Sequence, residues 1–579
     1  MPETAEAFDC RSLYVPMRDG VRLAVSVLMP AGFTGKRPAL AVFTRYGRAT
    51  RAGILAIPFS ESLAFMREGF VVVSVDVRGT GASFGRRLVE KGREEIRDYG
   101  EIFDWIVAQP WSDGRIVSTG VSYLGNACEA ALINNHPALV AVAPRFTDFD
   151  LYEHLLFPGG MPDVAFALAW AEMTATLDRG ETLEVSASDR EAAERSKIAA
   201  AAVDGDDGTL FRAAIAEHGN QNGLAERFAR IVFRDDGGKP AANGDRAVDL
   251  CDAAAEIVAG ARPAFHWASW LDAGTAAGVL ARFHTLDMPM RIKIGAWNHG
   301  AMQDASPYTP VDTPPVPDRP SQIREIAAFF HARLAGEPLP ARKSIEYFTL
   351  GAGCWRATQV WPPVGLAVRD WYFDAEDCLS DAPGATGHDS YHVDFAASSG
   401  KANRWTTQLG RDVDYRDRRA ADAVLKTYTS APLSGALEIT GTPLATLQVA
   451  SNRTDGNFIV YLAEVAPNGR VTYLTEGGLR ALHRAVSDAP ARYVRPGPNR
   501  SFLRADATPL VPGEFATLCF PLLPLSVVIK AGHRLRVSLA GADDGIFERL
   551  PPEGDADWTI ARGAGQISFV RLPCAPWTP

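Results

Sequence analysis

Two serines in this chain lie in glycine-rich strings of the kind that surrounds a nucleophile. Ser83 lies in Gly81–Gly85 (GASFG), and Ser122 lies in Gly120–Gly125 (GVSYLG). A serine hydroxyl is well placed for attack where a strand runs directly into it and a helix starts directly after it, because the helix N–H groups then face the developing oxyanion. Glycines are needed on both sides of such a serine, since the strand and helix backbones nearly touch there.

Local context favours Ser122 over Ser83. The apolar run Phe70–Val77 (FVVVSVDV) stops before Ser83, and the charged stretch after Gly85 predicts no immediate helix. Arg115–Gly120 (RIVSTG) predicts a strand that leads directly into Ser122, and NACEAALINN predicts the helix that follows. We therefore predict Ser122 as the nucleophile, with an ordinary strand–turn–helix junction as the alternative. Ser83 is predicted to be a turn residue in a glycine-rich loop at the carboxyl edge of the sheet.

An aspartate and a histidine follow in the chain order that a serine triad on a parallel sheet requires. Asp272 comes after the predicted strand AFHWASW, and His299 comes after the predicted strand MRIKIGAW. A serine hydroxyl needs a base near neutral pH; His299 would take its proton, and Asp272 would hold the imidazole tautomer. The alternative for Asp272 is the N-cap of the helix that follows it.

The same stretches give little support to a cofactor or a metal. Gly79-x-Gly81 follows a strand as a dinucleotide-binding loop does, but the spacing to Gly85 is one residue too long for G-x-G-x-x-G. The histidines lack H-x-x-x-H or H-x-x-E spacing. We therefore predict neither a cofactor nor a metal.

The elements that must position these residues change character along the chain. Residues 1–145 alternate short apolar strands with amphipathic helices, which is typical of an open α/β sheet. Residues 146–260 are Ala-rich and helical with acidic loops, and they interrupt this pattern as an insertion without strands. The α/β pattern resumes over 261–339, and short alternating strands follow over 340–579, which predicts a β sandwich.

Composition excludes several classes of function. The chain has 579 residues, 47% of them hydrophobic and 22% charged, with a net charge of −10 and no clustered basic patch, so nucleic-acid binding is not expected. Neither a signal peptide nor an apolar run long enough to span a membrane is visible. The scattered, odd set of cysteines predicts reduced thiols and a cytoplasmic location: Cys10, Cys128, Cys251, Cys354, Cys378, Cys519 and Cys574.

Three blocks carry a resemblance to a known family. GVSYLG, SWLDAG and GAWNHG resemble conserved blocks of the cocaine esterase / X-prolyl dipeptidyl-peptidase (CocE/NonD) family of serine hydrolases. DVRGTGASFG near the N-terminus and AGHRLRVSLAG near the C-terminus are also similar to that family, so the likeness covers nearly the whole chain outside the insertion. Ser269 stands where the family has Gly, and Ala296 stands where it has Pro.

The resemblance implies a fold and a site. The fold would be an α/β-hydrolase core with an inserted helical cap and a C-terminal β jelly-roll, galactose-binding-like domain. The oxyanion hole would be formed by the hydroxyl of Tyr46 and the backbone N–H of Tyr123, where a preorganised donor meets developing charge. The insertion would line the substrate pocket, with Trp170 as a candidate wall residue; a tryptophan in the core of the cap is the alternative.

The function expected from these residues is hydrolysis of small-molecule carboxylic (acyl) esters through Ser122, His299, Asp272 and an acyl-enzyme. An X-Pro dipeptidyl-peptidase or amide acylase on the same triad is the alternative, but Ala273-Gly274-Thr275 carries no carboxylate to hold a substrate ammonium. A sugar-binding module on an inactive hydrolase is a third interpretation, which an intact triad disfavours. No nucleic-acid or membrane partner is expected, and a homodimer is left open.

Overall fold

The structure is a computed structural model that describes residues 8–49, 59–185, 196–198, 200–218, 223–237, 247–563, 565 and 567–578. The acidic N-terminal segment and part of the predicted insertion lie outside the described residues. The first α/β part alternates strands and helices as the sequence predicts: β1 (Phe8–Pro16), β2 (Arg22–Pro30), β3 (Arg37–Thr44), α1 (Phe59–Arg67), β4 (Val71–Asp76), α2 (Arg93–Val107), β5 (Ser112–Val121), α3 (Tyr123–Ala130) and β6 (Leu139–Arg145).

The insertion is mainly helical where it is described, but it also contains two short strands that the sequence did not reveal. Asp163 caps its first helix by accepting a hydrogen bond from the backbone N–H of Phe166 at 3.0 Å. The two strands pair antiparallel; each has three residues, too few for an alternating pattern to be recognised. The elements are α4 (Val164–Asp178), β7 (Leu183–Val185), β8 (Ser196–Ile198), α5 (Thr209–His218), α6 (Leu224–Phe228) and α7 (Ala254–Ala259).

The second α/β part completes a sheet of ten strands within the described chain, in the order β1-β2-β4-β3-β5-β6-β9-β10-β11-β12. Strands from β4 to β11 in this order pair in parallel, whereas the edge strands pair antiparallel. All six residues of β4 are buried, as expected for a strand covered on both faces. The added elements are β9 (Ala264–Ser269), α8 (Thr275–Thr285), β10 (Met290–Gly295), α9 (Arg319–Leu334), β11 (Lys343–Thr349) and β12 (Cys354–Thr358).

β11 and β12 come just after residue 340, where the β domain is predicted to start. Ile345 of β11 lies opposite Ile292 of β10, and β12 pairs with the other edge of β11. These two strands therefore belong to the α/β sheet. Alternation along a strand does not reveal which sheet the strand joins, so the sequence placed them with the strands that follow. The predicted domain limits stay predictions.

The rest of the chain forms a β domain, as predicted, with a thirteen-stranded sheet in its described residues. One continuous apolar core extends from the α/β sheet into this domain. None of the described helices is long and apolar enough to cross a bilayer. The elements are β13 (Ala367–Phe373), β14 (Cys378–Ser380), β15 (Gly387–His392), α10 (Arg419–Asp422), β16 (Lys426–Ser430), β17 (Leu437–Gly441), β18 (Leu444–Ser451), β19 (Asn457–Val465), β20 (Val471–Arg480), β21 (Ala516–Pro521), β22 (Leu525–Ile529), β23 (Arg534–Ala540), β24 (Asp557–Arg562) and β25 (Phe569–Pro576).

Candidate active site

Ser122 lies in a sharp turn between β5 and α3. The strand ends at Val121 and the helix begins at Tyr123, so the serine is the only residue between them. Its backbone has φ 60° and ψ −127°, a left-handed conformation that non-glycine residues rarely adopt. Such strain persists only where the surrounding structure enforces it, and it is common at active sites. The partly exposed Ser122 therefore has the geometry of a nucleophile elbow.

The two flanking glycines explain the G-x-S-x-x-G spacing. A Cβ atom at Gly120 would lie 2.4 Å from Cβ of Leu124, and one at Gly125 would lie 2.8 Å from the carbonyl oxygen of Gly120. Both distances are far below van der Waals contact, so no side chain fits at either position. The glycines thus allow strand and helix to touch.

Ser83 has a different environment. Its hydroxyl accepts a hydrogen bond from the backbone N–H of Ala24 at 2.8 Å and donates one to the carbonyl of Asp76 at 2.6 Å. Its side chain is fully buried, and no helix follows until Arg93. Ser83 therefore ties a glycine-rich loop to β2 and β4, in agreement with the turn role that the sequence predicts.

Asp272 and His299 are joined directly. Nδ1 of His299 lies 2.9 Å from Oδ2 of Asp272, whose side chain is fully buried. The strands before them end at Ser269 and Gly295, so each side chain is carried by a short loop rather than by the strand end itself. The N-cap residue of α8 is Gly274, and no side chain caps that helix by a hydrogen bond. The N-cap alternative for Asp272 is therefore wrong.

The loop that carries His299 lies against the elbow. The ring of Phe146 is 5.8 Å from the ring of His299, and the residue before it, Arg145, accepts a hydrogen bond from the backbone N–H of Ser122 at 2.9 Å. A Cβ atom on Gly300 would lie 3.6 Å from Cγ1 of Val121. In the described structure Nε2 of His299 is buried and has no hydrogen-bond partner. No hydrogen bond joins it to Ser122 in the described structure, and no other partner occupies it.

The candidate oxyanion-hole residues meet at the same edge of the sheet. Tyr46 follows β3, and its ring contacts that of Tyr123 edge-on at a centroid distance of 6.1 Å. The indole N–H of Trp170 donates a hydrogen bond to the Tyr46 hydroxyl at 3.0 Å. Burial raises the pKa of Tyr46, so the phenol stays protonated near neutral pH and can donate.

Tyr123 would contribute its backbone rather than its side chain. Its hydroxyl bonds to Glu95 and accepts a hydrogen bond from Arg87 at 2.6 Å. As the first residue of α3, its backbone N–H lacks an intrahelical acceptor.

The predicted place of Tyr46 in the oxyanion hole implies that Tyr46→Phe lowers kcat for an acyl ester about 10²- to 10³-fold with little change in KM, because one preorganised donor would be lost. Steady-state kinetics would measure this effect. Tyr372→Phe, which removes a hydroxyl in the β domain that bonds to Asp370 at 3.4 Å, is the matched control. Unchanged kcat in the Tyr46→Phe enzyme would show that the Tyr46 hydroxyl does not stabilise the oxyanion.

A cavity of about 630 Å³ opens above these residues. Ser122, Tyr46, Tyr123 and Trp170 line it, together with residues of the insertion and of the β domain. In the parts of the chain that the structure describes, no group of three or more His, Cys, Asp or Glu side chains is arranged to hold a metal ion.

Sequence reasoning missed the β-domain residues that contact Asp272 and His299. Nε2 of Gln408 donates a hydrogen bond to Oδ1 of Asp272 at 2.6 Å, and Thr407 accepts one from the backbone N–H of His299 at 3.0 Å. Gln408 is 136 residues from Asp272 in the chain, in a stretch with no recognisable motif. No signal in the sequence could have identified it.

The fold, with a strained serine turn between β5 and α3, defines an α/β hydrolase. Residues 19–301 match the model of the X-Pro dipeptidyl-peptidase (S15) family, and residues 340–561 match the X-Pro dipeptidyl-peptidase C-terminal non-catalytic domain. The chain belongs to this family. It is a hydrolase that acts on ester bonds, as the resemblance in the sequence implies.

Named relatives span nearly the whole chain. A Mycobacterium bovis protein provisionally named a serine esterase is 37% identical, over 93% of this chain and 91% of its own. The cocaine esterase of Rhodococcus sp. is 26% identical, over 95% of this chain and 93% of its own. The CocE/NonD family hydrolase structure from Staphylococcus aureus has a TM-score of 0.71 at 18% identity, with 98% of this chain and 94% of that chain covered.

Proposed function

We propose that this protein hydrolyses carboxylic esters through a Ser122–His299–Asp272 triad and an acyl-enzyme. The observation that carries the proposal is the 2.9 Å hydrogen bond between His299 and the fully buried Asp272, beside the strained elbow of Ser122. A buried carboxylate on Nδ1 leaves Nε2 as the basic nitrogen of a neutral imidazole. That nitrogen is the one that a serine hydroxyl needs.

In the first half-reaction, Oγ of Ser122 attacks the ester carbonyl carbon and its proton passes to Nε2 of His299. The Tyr46 hydroxyl and the backbone N–H of Tyr123 stabilise the resulting oxyanion. The Trp170 indole occupies a lone pair of the Tyr46 oxygen, so the phenol proton is directed elsewhere. His299 then gives the proton to the leaving alkoxide as the C–O bond breaks, which releases the alcohol and leaves an acyl-serine.

In the second half-reaction, water replaces the alcohol as the attacking group. His299 takes a proton from water, and the hydroxide adds to the acyl carbon through the same oxyanion hole. The intermediate collapses as His299 returns the proton to Oγ of Ser122, and the carboxylic acid leaves. Asp272 stays ionised throughout and stabilises the imidazolium formed in each half.

The charges around the cavity favour a substrate without an ammonium group. Among the described residues, each carboxylate that lines the cavity has an arginine or lysine partner within 4.0 Å. The six are Glu90, Asp148, Asp150, Glu153, Asp249 and Asp252. Apolar side chains near the elbow, including Leu155, Phe166 and Trp170, offer a wall for an acyl group. An X-Pro dipeptidyl-peptidase, the second candidate that the family match supports, would instead need a free carboxylate for the peptide N-terminus.

A fluorophosphonate probe is expected to label Ser122 with one adduct per chain, located by mass spectrometry of the tryptic peptide. The purified enzyme should turn over p-nitrophenyl butyrate at least about 100-fold faster than Ala-Pro-p-nitroanilide, because the described carboxylates of the cavity are already paired with cations. Heat-unfolded protein is the control for nonspecific labelling. Labelling elsewhere would contradict the nucleophile, and preferential cleavage of the Ala-Pro amide would favour the peptidase.

A further inference from the structure

A loop of the β domain, residues 403–411, lies directly against the loops that carry the proposed triad. Its contacts are made to three places: the side chain of Asp272, the backbone around Asp272, and the backbone of His299. These three sets of contacts come from different residues of the loop. Residues 403–411 fall within the part of the chain that matches a domain described as non-catalytic.

Gln408 contacts the Asp272 carboxylate. Its Nε2 is 2.6 Å from Oδ1, whereas Oδ2 accepts from His299 at 2.9 Å. The hydroxyl of Thr275 lies 3.4 Å from Oδ2 and is the more distant donor. The two carboxylate oxygens are thus divided between His299 and Gln408. Rotation of the carboxylate about χ2 would break both short hydrogen bonds.

The chemistry of an amide suits this position. A neutral amide donor leaves the full negative charge on Asp272, which is needed to stabilise the His299 imidazolium. It also satisfies an oxygen that would otherwise be buried without a partner, which is costly for a charged group. A second carboxylate at the same place would compete for a proton.

Arg404 supports the backbone turn that carries Asp272. Ala273 has a positive φ of 37°, where a side chain is strained. Its backbone N–H donates to the carbonyl of Arg404 at 2.8 Å, and its carbonyl accepts from the Arg404 guanidinium at 2.9 Å. The same guanidinium donates to the carbonyl of Trp270 at 2.6 Å. The strained turn is therefore clamped on both sides of Asp272 by the β domain.

Thr407 supports the histidine. Its hydroxyl donates to the carbonyl of Arg411 at 2.8 Å, which orients its oxygen to accept from the backbone N–H of His299 at 3.0 Å. His299 lies on a loop beyond the end of β10, so its backbone N–H is not part of the hydrogen bonding between strands. Thr407 supplies that partner.

We propose that Gln408 is a positioning residue for catalysis. Through the 403–411 loop, the β domain then helps to position the catalytic groups of the active site. Gln408 holds the Asp272 carboxylate in the rotamer that faces His299, while Arg404 and Thr407 hold the two backbones. The proposal rests on the Ser122–His299–Asp272 triad. A preorganised second layer of this kind maintains the geometry of the reacting groups.

Gln408→Leu keeps the side-chain size and removes the donor. We expect kcat for p-nitrophenyl butyrate to fall roughly 10- to 100-fold, as for the loss of a hydrogen bond to a charged group, with KM within about twofold. Gln448→Leu is the matched control, because Gln448 is a half-buried glutamine of the same domain whose amide bonds to Thr517 instead. Melting midpoints of both variants would show that each is folded.

Gln408→Glu separates positioning from a merely structural role. When protonated, the new carboxyl group can donate to Asp272; when ionised, it repels Asp272. We therefore expect its kcat/KM relative to wild type to fall at least about tenfold as the pH rises from about 6 to about 9. The ratio for Gln408→Leu should stay constant within about twofold. A structural role alone would give ratios independent of pH for both.

Two outcomes would overturn the inference. A folded Gln408→Leu enzyme with wild-type kcat would do so, and so would a Gln408→Glu enzyme whose relative activity does not change with pH; the second test applies even if Gln408→Leu fails to fold. If Ser122→Ala were also fully active, the triad itself would be wrong. If Ser122→Ala is inactive and Gln408 variants are normal, only the role of the β domain is lost.

Discussion

Ser122→Ala is expected to lower kcat/KM for p-nitrophenyl butyrate by at least about 10⁴-fold, because no other group can form the acyl-enzyme. The Ser122 hydroxyl makes no contact that the fold depends on in the described structure; the turn is held by its backbone, through the bond from its N–H to the carbonyl of Arg145. The variant should therefore fold with a melting midpoint near that of wild type. Initial rates and thermal unfolding would measure both quantities.

Ser83→Ala is the control that discriminates between the two glycine-flanked serines. Removal of this hydroxyl leaves the N–H of Ala24 and the carbonyl of Asp76 without a buried partner. We expect a loss of about 1–3 kcal/mol in the free energy of unfolding, with kcat of the folded enzyme within about twofold of wild type. If activity followed Ser83 instead of Ser122, the assignment of the elbow would fail.

Asp272→Asn is expected to lower kcat by about 10⁴-fold with little change in KM, measured with the same ester near neutral pH. An amide that donates to His299 through its N–H holds the imidazole in the wrong tautomer, with the proton on Nε2 instead of Nδ1. The imidazolium also loses the negative charge that stabilises it. Because the packing volume is unchanged, substrate should still bind.

Asp287→Asn is the matched control, because Asp287 is an exposed aspartate at the far end of α8 that bonds to Arg342 at 2.7 Å. Its kinetics should equal those of wild type. An Asp272→Asn enzyme within about tenfold of wild type would show that His299 acts without its aspartate, and the 2.9 Å contact would then be structural.

The choice of Ser122 over Ser83 is a prediction that rests on local sequence. What decided it was local: strand residues run directly into Ser122, and small helix-forming residues follow it. The clash distances at Gly120 and Gly125 give the physical basis of that pattern. The textual match around Ser83 carries no such context, and its glycines serve a tight loop over the Asp76 carboxylate.

Local pattern was less informative about which sheet a strand joins. The residues of β11 and β12 alternate as strands of the β domain do, yet they extend the parallel sheet beside β10. Edge pairing is a contact between distant segments, and alternation alone does not encode the partner. The sequence pattern therefore did not reveal that these two strands pair beside β10.

The sequence by itself determined the fold class, the family, and the chain order of Ser122, Asp272 and His299, each after a strand of one sheet. They follow from hydrophobic periodicity and from short motifs, and both depend only on residues that are close together in the chain. Only the tertiary structure decided that Trp170 bonds to Tyr46 and that Gln408 holds Asp272. Such contacts join loops from separate parts of the chain, and a single amide or indole has no spacing rule that would identify its partner.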